Sequence, residues 1–313
     1  MNTAASDEGV SFTVTIDGED TPPVSEKMEL SEFMLSPSRI NMFLKCPRSY
    51  YYRYIEKLPE KMTIHLFRGS MVHTILEDLF EKRFKFASGY QRGQAQAWVT
   101  EQFEEKWADL VATKPWLFKD YKEDVFRKET LEMLVNFCAK IERKLKELMD
   151  WEVYRTKDLA FKNLKPKFNE MRLRNKEMKV QGIIDAVVVD FEKNVSLIDY
   201  KTSKRYGPWL PEDYYRQLII YAMLYYEETG VVPMFCGVDW LRFDTTTFVR
   251  ITSSELDEAR AIVSTMHKEL IERASDIEKY EVSPSILCKW CAFYKNPCEP
   301  GPLTPKNPMW SKK

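Results

Sequence analysis

An α/β fold, with a mixed central sheet flanked by helices, is what this 313-residue sequence predicts, and three observations carry the prediction. Residues 69–150 repeat apolar side chains at threes and fours; residues 178–201 run as two β-rich segments around a short turn; and a helical stretch opened by Pro211 and closed by Gly230 leads into two further strand-like segments. With 44% hydrophobic and 13% aromatic residues the chain can bury a large core. No stretch approaches the roughly 20 uninterrupted apolar residues of a membrane span, and the first thirty residues lack a basic flank before an apolar core, so the expectation is a soluble, intracellular, cytoplasmic protein without membrane contact.

The elements follow in order. Residues 1–33 carry eight acids against Lys27 alone and little periodicity, which reads as a flexible acidic tail. The domain is expected over 34–305, with a second tail at 306–313. Ser36 or Ser38 can cap a short helix bearing Ile40, Phe43 and Leu44 that ends toward Cys46 and Pro47, and an aromatic, basic helix follows. Residues 75–150 read as a helical insertion, shown by the spacing of Leu131, Leu134, Val135, Cys138, Ile141, Leu145 and Leu148. MKVQGIIDAVVVD, FEKN and VSLIDYK form a hairpin; VVPMFCGVDWLRF and TTFVRIT supply further strands. Ser254 with Asp257 resembles a capping box for a last helix. The net charge of -1 excludes a globally basic polyanion binder, but without the acidic opening the body is cationic at +6, which permits a polyanion partner.

Chemistry concentrates in the hairpin. If its loop centres on Glu192, pairing at an index sum of 384 sets Asp185 opposite Asp199, and a sum of 386 sets it opposite Lys201; either puts the three side chains on one face. Carboxylates facing each other across a ladder repel, and a cation relieves the repulsion, with hard oxygen ligands suiting Mg²⁺ or Mn²⁺. A bland alternative has Asp185 bonded to nearby amides and Asp199 paired with Lys201. His73 shares an inward helical face with Leu76 and Phe80, as a core histidine or a ligand. Gln217 and Tyr221 share another, four residues apart.

Taken in order, G-S-M-V-H ending at His73, G-I-I-D ending at Asp185, D-Y-K at 199–201 and Q-L-I-I-Y from Gln217 to Tyr221 resemble the motifs of the RecB-like PD-(D/E)XK nucleases, from about Ser36 to Cys298. The resemblance implies a restriction-endonuclease-like sheet and metal-dependent hydrolysis of DNA, exonucleolytic on single strands or ends, in repair, recombination or CRISPR adaptation. It implies that Asp185, Asp199, His73 and the Tyr200 carbonyl hold the ion, that Lys201 orients or activates water, and that Gln217 and Tyr221 position the site. Ala186 follows Asp185 where the family often has a basic residue.

Cys288, Cys291 and Cys298 form C-x2-C-x6-C, one ligand short of a four-ligand site; Cys46 is the natural fourth, since Cys138 and Cys236 sit in apolar patterns. Spacing leaves structural zinc and a 4Fe-4S cluster open. A second resemblance, to the iron-sulfur branch found in AddB-type subunits and CRISPR-associated exonucleases, implies the cluster, tying the N-terminal segment to residues 284–300. That branch usually has a final interval one residue shorter. Lys204 and Arg205, just past D-Y-K, are the phosphate-binding expectation; Arg48 and Arg53, among Tyr50, Tyr51, Tyr52 and Tyr54, can clamp a single strand or simply pack. A helicase or CRISPR integrase would act in trans. The rival expectations are a non-catalytic, DNA-end-binding iron-sulfur subunit of a larger complex and a zinc-stabilised interaction module.

Overall fold

The computed structural model describes residues 33–60, 62–81, 93–150, 156–190, 192–204 and 209–303. Both expected tails lie outside these residues except for Phe33, which is buried in the core. The helices are α1 (Pro37–Lys45), α2 (Pro47–Tyr50), α3 (Ile64–Glu81), α4 (Gln94–Thr113), α5 (Glu123–Asp150), α6 (Lys157–Leu164), α7 (Glu212–Thr229) and α8 (Ser253–Arg273). Ser36, not Ser38, caps α1, accepting the Arg39 amide at 3.3 Å. Gly230 ends α7 with φ of 70°, a conformation that costs glycine nothing.

Five strands pair in chain order: β1 (Phe168–Asn175), β2 (Val180–Val189), β3 (Val195–Lys201), β4 (Phe235–Trp240) and β5 (Thr245–Arg250). Only β3 and β4 are parallel, and α7 is the crossover that parallel neighbours require. The result is a five-stranded mixed sheet flanked by helices. Alternation along β2 and β3 divides the core. Val187, Val195 and Leu197 pack with α1, α7 and α8, whereas Ala186 and Tyr200 pack with α3, α4, α5 and α6. The sheet is therefore buried on both faces, which leaves the strand ends as the place for polar chemistry.

Two elements escape the sequence reading. Strand β1 alternates Met171 and Leu173 with Glu170, Arg172 and Arg174, so its polar face hides it among loop residues, and the short α6 precedes it. One expectation is corrected. The box opening α8 is Thr252 with Glu255, not Ser254 with Asp257, because β5 ends at Arg250 and leaves Thr252 extended at the N-cap.

Candidate active site

The β2–β3 ladder pairs Ala186 with Ile198, Val187 with Leu197, Val188 with Ser196 and Val189 with Val195, the index sum of 384. Continued by one pair, it sets Asp185 opposite Asp199. On the other side of β2, the pairs Asn169–Ala186 and Met171–Ile184 bracket Glu170 opposite Asp185. Three carboxylates thus form a row across three adjacent strands. Glu170 departs from strand geometry, with φ of 48°, a conformation that costs a side-chain-bearing residue about 1–3 kcal/mol.

Helix α3 brings His73 to this row. Its Nε2 lies 3.0 Å from the Tyr200 carbonyl oxygen, and its Nδ1 lies 3.3 Å from Asp185 Oδ1 and 3.8 Å from Glu170 Oε1. The other Asp185 oxygen accepts the Tyr200 amide at 2.6 Å, which fixes the carboxylate against the main chain of β3. Burial lowers the His73 imidazolium, but hydrogen bonds and charge from Asp185 and Glu170 overcome this and push it up to about 10.

Asp199, only 3% exposed, faces a second set of partners. Lys201 Nζ lies 2.6 Å from its Oδ2, and Gln217 Nε2 donates to its Oδ1 at 2.8 Å. Lys201 also donates to Gln217 Oε1 at 3.3 Å and lies over the Tyr214 ring, 5.2 Å from its centroid. Gln217 in turn reaches the Tyr221 hydroxyl at 2.8 Å. Burial raises the Asp199 carboxyl, Lys201 opposes this, and Asp185 adds to the rise. For Lys201, burial favours loss of the proton, but Asp199 outweighs it and the ammonium is retained.

The glycine of G-I-I-D explains how α7 comes so close. A Cβ on Gly182 would stand 2.8 Å from a Tyr221 ring carbon and 3.1 Å from Leu224, so only glycine lets this helix face lie on β2.

The donor set can be tested against a divalent ion. One ligand atom each from His73, Glu170 and Asp185 lies within 4.8 Å of the others, and an imidazole with two carboxylates fits Mg²⁺ or Mn²⁺. Burial raises the Asp199 carboxyl first, and the charge of Asp185 that adds to the rise is what such an ion would relieve. The grouping differs from the expected one in two respects: Glu170 stands beside His73 and Asp185, and Asp199 turns to Lys201 and Gln217.

A family model described as the PD-(D/E)XK nuclease superfamily matches residues 34–299, most of the chain. The chain belongs to that superfamily. Among solved structures, it is similar to a protein from Eubacterium rectale assigned provisionally as an exonuclease, with 15% identity, a TM-score of 0.48, and coverage of 88% of this chain and 91% of that one. None of the curated proteins matches. Nucleases of the superfamily use divalent metal ions and act on nucleic acid, which suits the donor set above. No helix among the described residues is long and apolar enough to cross a membrane.

This PD-(D/E)XK chain also gathers its four expected cysteines. Cys46 lies between α1 and α2, Cys288 in a 3-10 turn, and Cys291 and Cys298 in the loops after it; all four line one cavity of about 590 Å³. Main chain and side chain of Arg48 hold the two segments together, through hydrogen bonds to the carbonyls of Glu281 at 3.2 Å and Tyr280 at 2.7 Å. Burial, with the neighbouring cysteines adding, pushes the Cys298 thiol up to about 11 and also raises Cys291. Zinc bound at about 2.3 Å draws its thiolates into a tight tetrahedron. The cysteines make no compact group of the kind that His73, Glu170 and Asp185 make. Cys138 and Cys236 are fully buried elsewhere in the core.

The expected nucleic-acid contacts fare unevenly. Arg48 is spent on the C-terminal carbonyls and Arg53 pairs with Glu60, while Tyr50 and Tyr52 are buried against Phe43, Tyr280 and Phe293. Lys204 stands exposed just past β3, 3.1 Å from Glu129, and Arg205 lies outside the described residues. The residue that sequence reasoning missed is Glu170. An alternating M-R-L-R-N after it and a turn before Val180 were the available signals.

Proposed function

We propose that the protein is an Mg²⁺- or Mn²⁺-dependent deoxyribonuclease that removes nucleotides from single-stranded DNA or DNA ends. The observation that carries this reading is the convergence of His73, Glu170 and Asp185 beside a buried Asp199–Lys201 pair at the end of one strand. A divalent ion in that cage would lower the pKa of a bound water and neutralise charge on the phosphate. His73, Asp185 and Glu170 would hold it, with Asp199 and the Tyr200 carbonyl as the neighbouring oxygens available to it. Lys201, fixed by Asp199 and Gln217, keeps its ammonium beside the reacting phosphate, where it orients the attacking water and steadies the charge that develops. Gln217 and Tyr221 are positioning residues, since they act through Asp199 and Lys201.

The four cysteines we assign to a 4Fe-4S cluster with a structural role. Support comes from their common cavity and from the repulsion that gathered thiolates would suffer without a cation.

Both parts meet one preparation. Anaerobically purified protein should show the broad visible absorption of an iron-sulfur cluster, lost in Cys298→Ser; a colourless protein with stoichiometric zinc would reassign the site. End-labelled single-stranded DNA should shorten with Mn²⁺ and not with chelator. Asp199→Asn or Lys201→Gln should slow this by about 10²–10³-fold or more while circular dichroism stays unchanged. Full activity in either variant would refute the site, and absence of product from wild type with Mn²⁺ would leave only a binding subunit.

A further inference from the structure

Beyond the catalytic centre, β3 runs into a second cluster with the opposite charge balance. Glu129 of α5 is approached by three cations: Arg242 Nη2 at 2.7 Å, Lys204 Nζ at 3.1 Å and Arg68 Nη1 at 3.4 Å. One carboxylate for three permanent cations leaves the group at +2. Arg242 and Lys204 hold the Glu129 carboxyl down at about 2, against the opposing effect of burial. The guanidiniums are short of acceptors as well as of counter-charge. Arg68, 2% exposed, and Arg242 each have a buried Nε without a hydrogen-bond partner.

The cluster is tied to the catalytic strand. Arg68 Nη2 donates to the Thr202 carbonyl at 3.3 Å, one residue past Lys201, and Lys204 follows two residues later. Arg68 belongs to α3, which also carries His73. Next to the cations lies an aromatic ledge. The Arg68 guanidinium lies 4.8 Å from the Phe126 ring centroid, and His65 meets the rings of Phe126 and Tyr121 edge-on at 5.2 and 5.4 Å. His65 and Tyr121 are exposed at the surface, and Lys204 is 65% exposed.

We propose that Arg68, Lys204 and Arg242 form a phosphate seat for the substrate strand, distinct from the metal centre, with His65 and Tyr121 as the stacking platform for an adjacent base. Single strands are bound by this combination of cations along the backbone and aromatic faces for unstacked bases. Lys204 and Arg242 make the contact, Arg68 supplies fixed charge behind them, and Glu129 spaces the three cations apart. A strand held here is registered next to Lys201. The inference rests on the nuclease reading and names a subsite for its substrate.

The test measures binding in chelator, apart from cleavage. Fluorescence anisotropy of a labelled single-stranded oligodeoxythymidylate, followed across salt concentrations, should give a slope shallower by about 0.7 in Lys204→Gln and by up to about 1.4 in the double variant with Arg242→Gln, since each lost phosphate contact removes about 0.7 for a single strand. Arg242→Lys should restore most of the loss, and the exposed Lys204→Gln keeps the test readable if Arg242→Gln folds poorly. Tyr121→Ala should weaken the base-bearing strand while leaving an abasic deoxyribose-phosphate strand unaffected. Inorganic phosphate should compete only as its ionic strength does; saturable competition beyond that would reassign the seat to free phosphate and overturn the strand assignment. Unchanged slopes in an enzyme that still cleaves with Mn²⁺ would overturn the seat alone. No binding and no cleavage by wild type would overturn the seat together with the nuclease reading.

Discussion

Asp199 and Lys204 stand five residues apart along one exit from the sheet, yet their surroundings are charged in opposite senses. Around Asp199, the carboxylates of Asp185, Asp199 and Glu170 are gathered with His73 and Lys201, among the described residues, to oppose them, and burial raises the Asp199 carboxyl. Around Lys204, three cations share Glu129, whose carboxyl is held at about 2. Neither cluster is neutral within itself. An acid-rich centre lacks a cation, and a cation-rich centre lacks an anion; hydrolysis of a charged strand by a bound metal requires a place for both. The comparison also shows how small a displacement along β3 separates them: the Tyr200 amide and carbonyl serve the first cluster and the Thr202 carbonyl the second.

The largest expected effect comes from breaking the cationic side. Glu129→Gln leaves Arg68, almost wholly buried, without its acid, and removing one partner of a buried pair costs about 3–5 kcal/mol. Urea denaturation at neutral pH should show that loss. The sign with pH follows from the depressed carboxyl. Its contribution is complete above the ordinary value of 4.5 and is lost as pH falls through about 2, so wild type should lose stability on acidification while Glu129→Gln, already without it, changes less over that interval. Equal acid lability in the two proteins would remove Glu129 as the keystone of the cluster.

A smaller effect is expected from disturbing the acid-rich side through its packing. Ala at 182 would force its Cβ against Tyr221 and Leu224, and overpacking of this kind costs about 1–3 kcal/mol. Tyr221 accepts from Gln217, and Gln217 bonds both Asp199 and Lys201, so displacement of the ring should be felt at the ammonium. Gly182→Ala should therefore reduce turnover more than it reduces Mn²⁺ affinity, as read by comparing cleavage rates with the Mn²⁺ electron-spin signal of the free ion. Equal losses would place the disturbance at the metal cage instead.

These residues divide by how legible they were. Asp185, Asp199 and Lys201 could be brought to one side of a hairpin because its turn is short and its strands are apolar, so the register follows from the loop centre. The crossover helix was bounded by Pro211 and Gly230, and the four cysteines stood out as a spaced set beside two that fall in apolar patterns. Arg68, Glu129 and Arg242 gave no such signal. They come from α3, α5 and the turn after β4, and nothing in the sequence around any of them indicates that its partner lies 61 or 113 residues away. Long-range ion pairs depend on how the helices pack, which local pattern does not specify. The same holds for Arg48 and Arg53, whose basic, aromatic setting does not show that one bonds the Tyr280 carbonyl and the other pairs with Glu60.

Glu170 joins the two kinds of residue and provides the smallest of the expected effects. It lies on a strand whose polar alternation concealed it, and its backbone takes a φ of 48° opposite Asp185. In the proposed metal site this strained carboxylate supplies the third ligand atom beside His73 and Asp185. Glu170→Gln keeps the shape and removes the charge, so Mn²⁺ affinity should fall about tenfold, or about 1.4 kcal/mol, when titrated by electron-spin resonance. Glu170→Gly should weaken the metal as much while relieving the strained backbone, so that the metal-free protein becomes no less stable. Unchanged affinity in both variants would return the cage to His73, Asp185 and Asp199, and would mean that the charge imbalance beside β3 is set by Asp199 and not by the strand that precedes it.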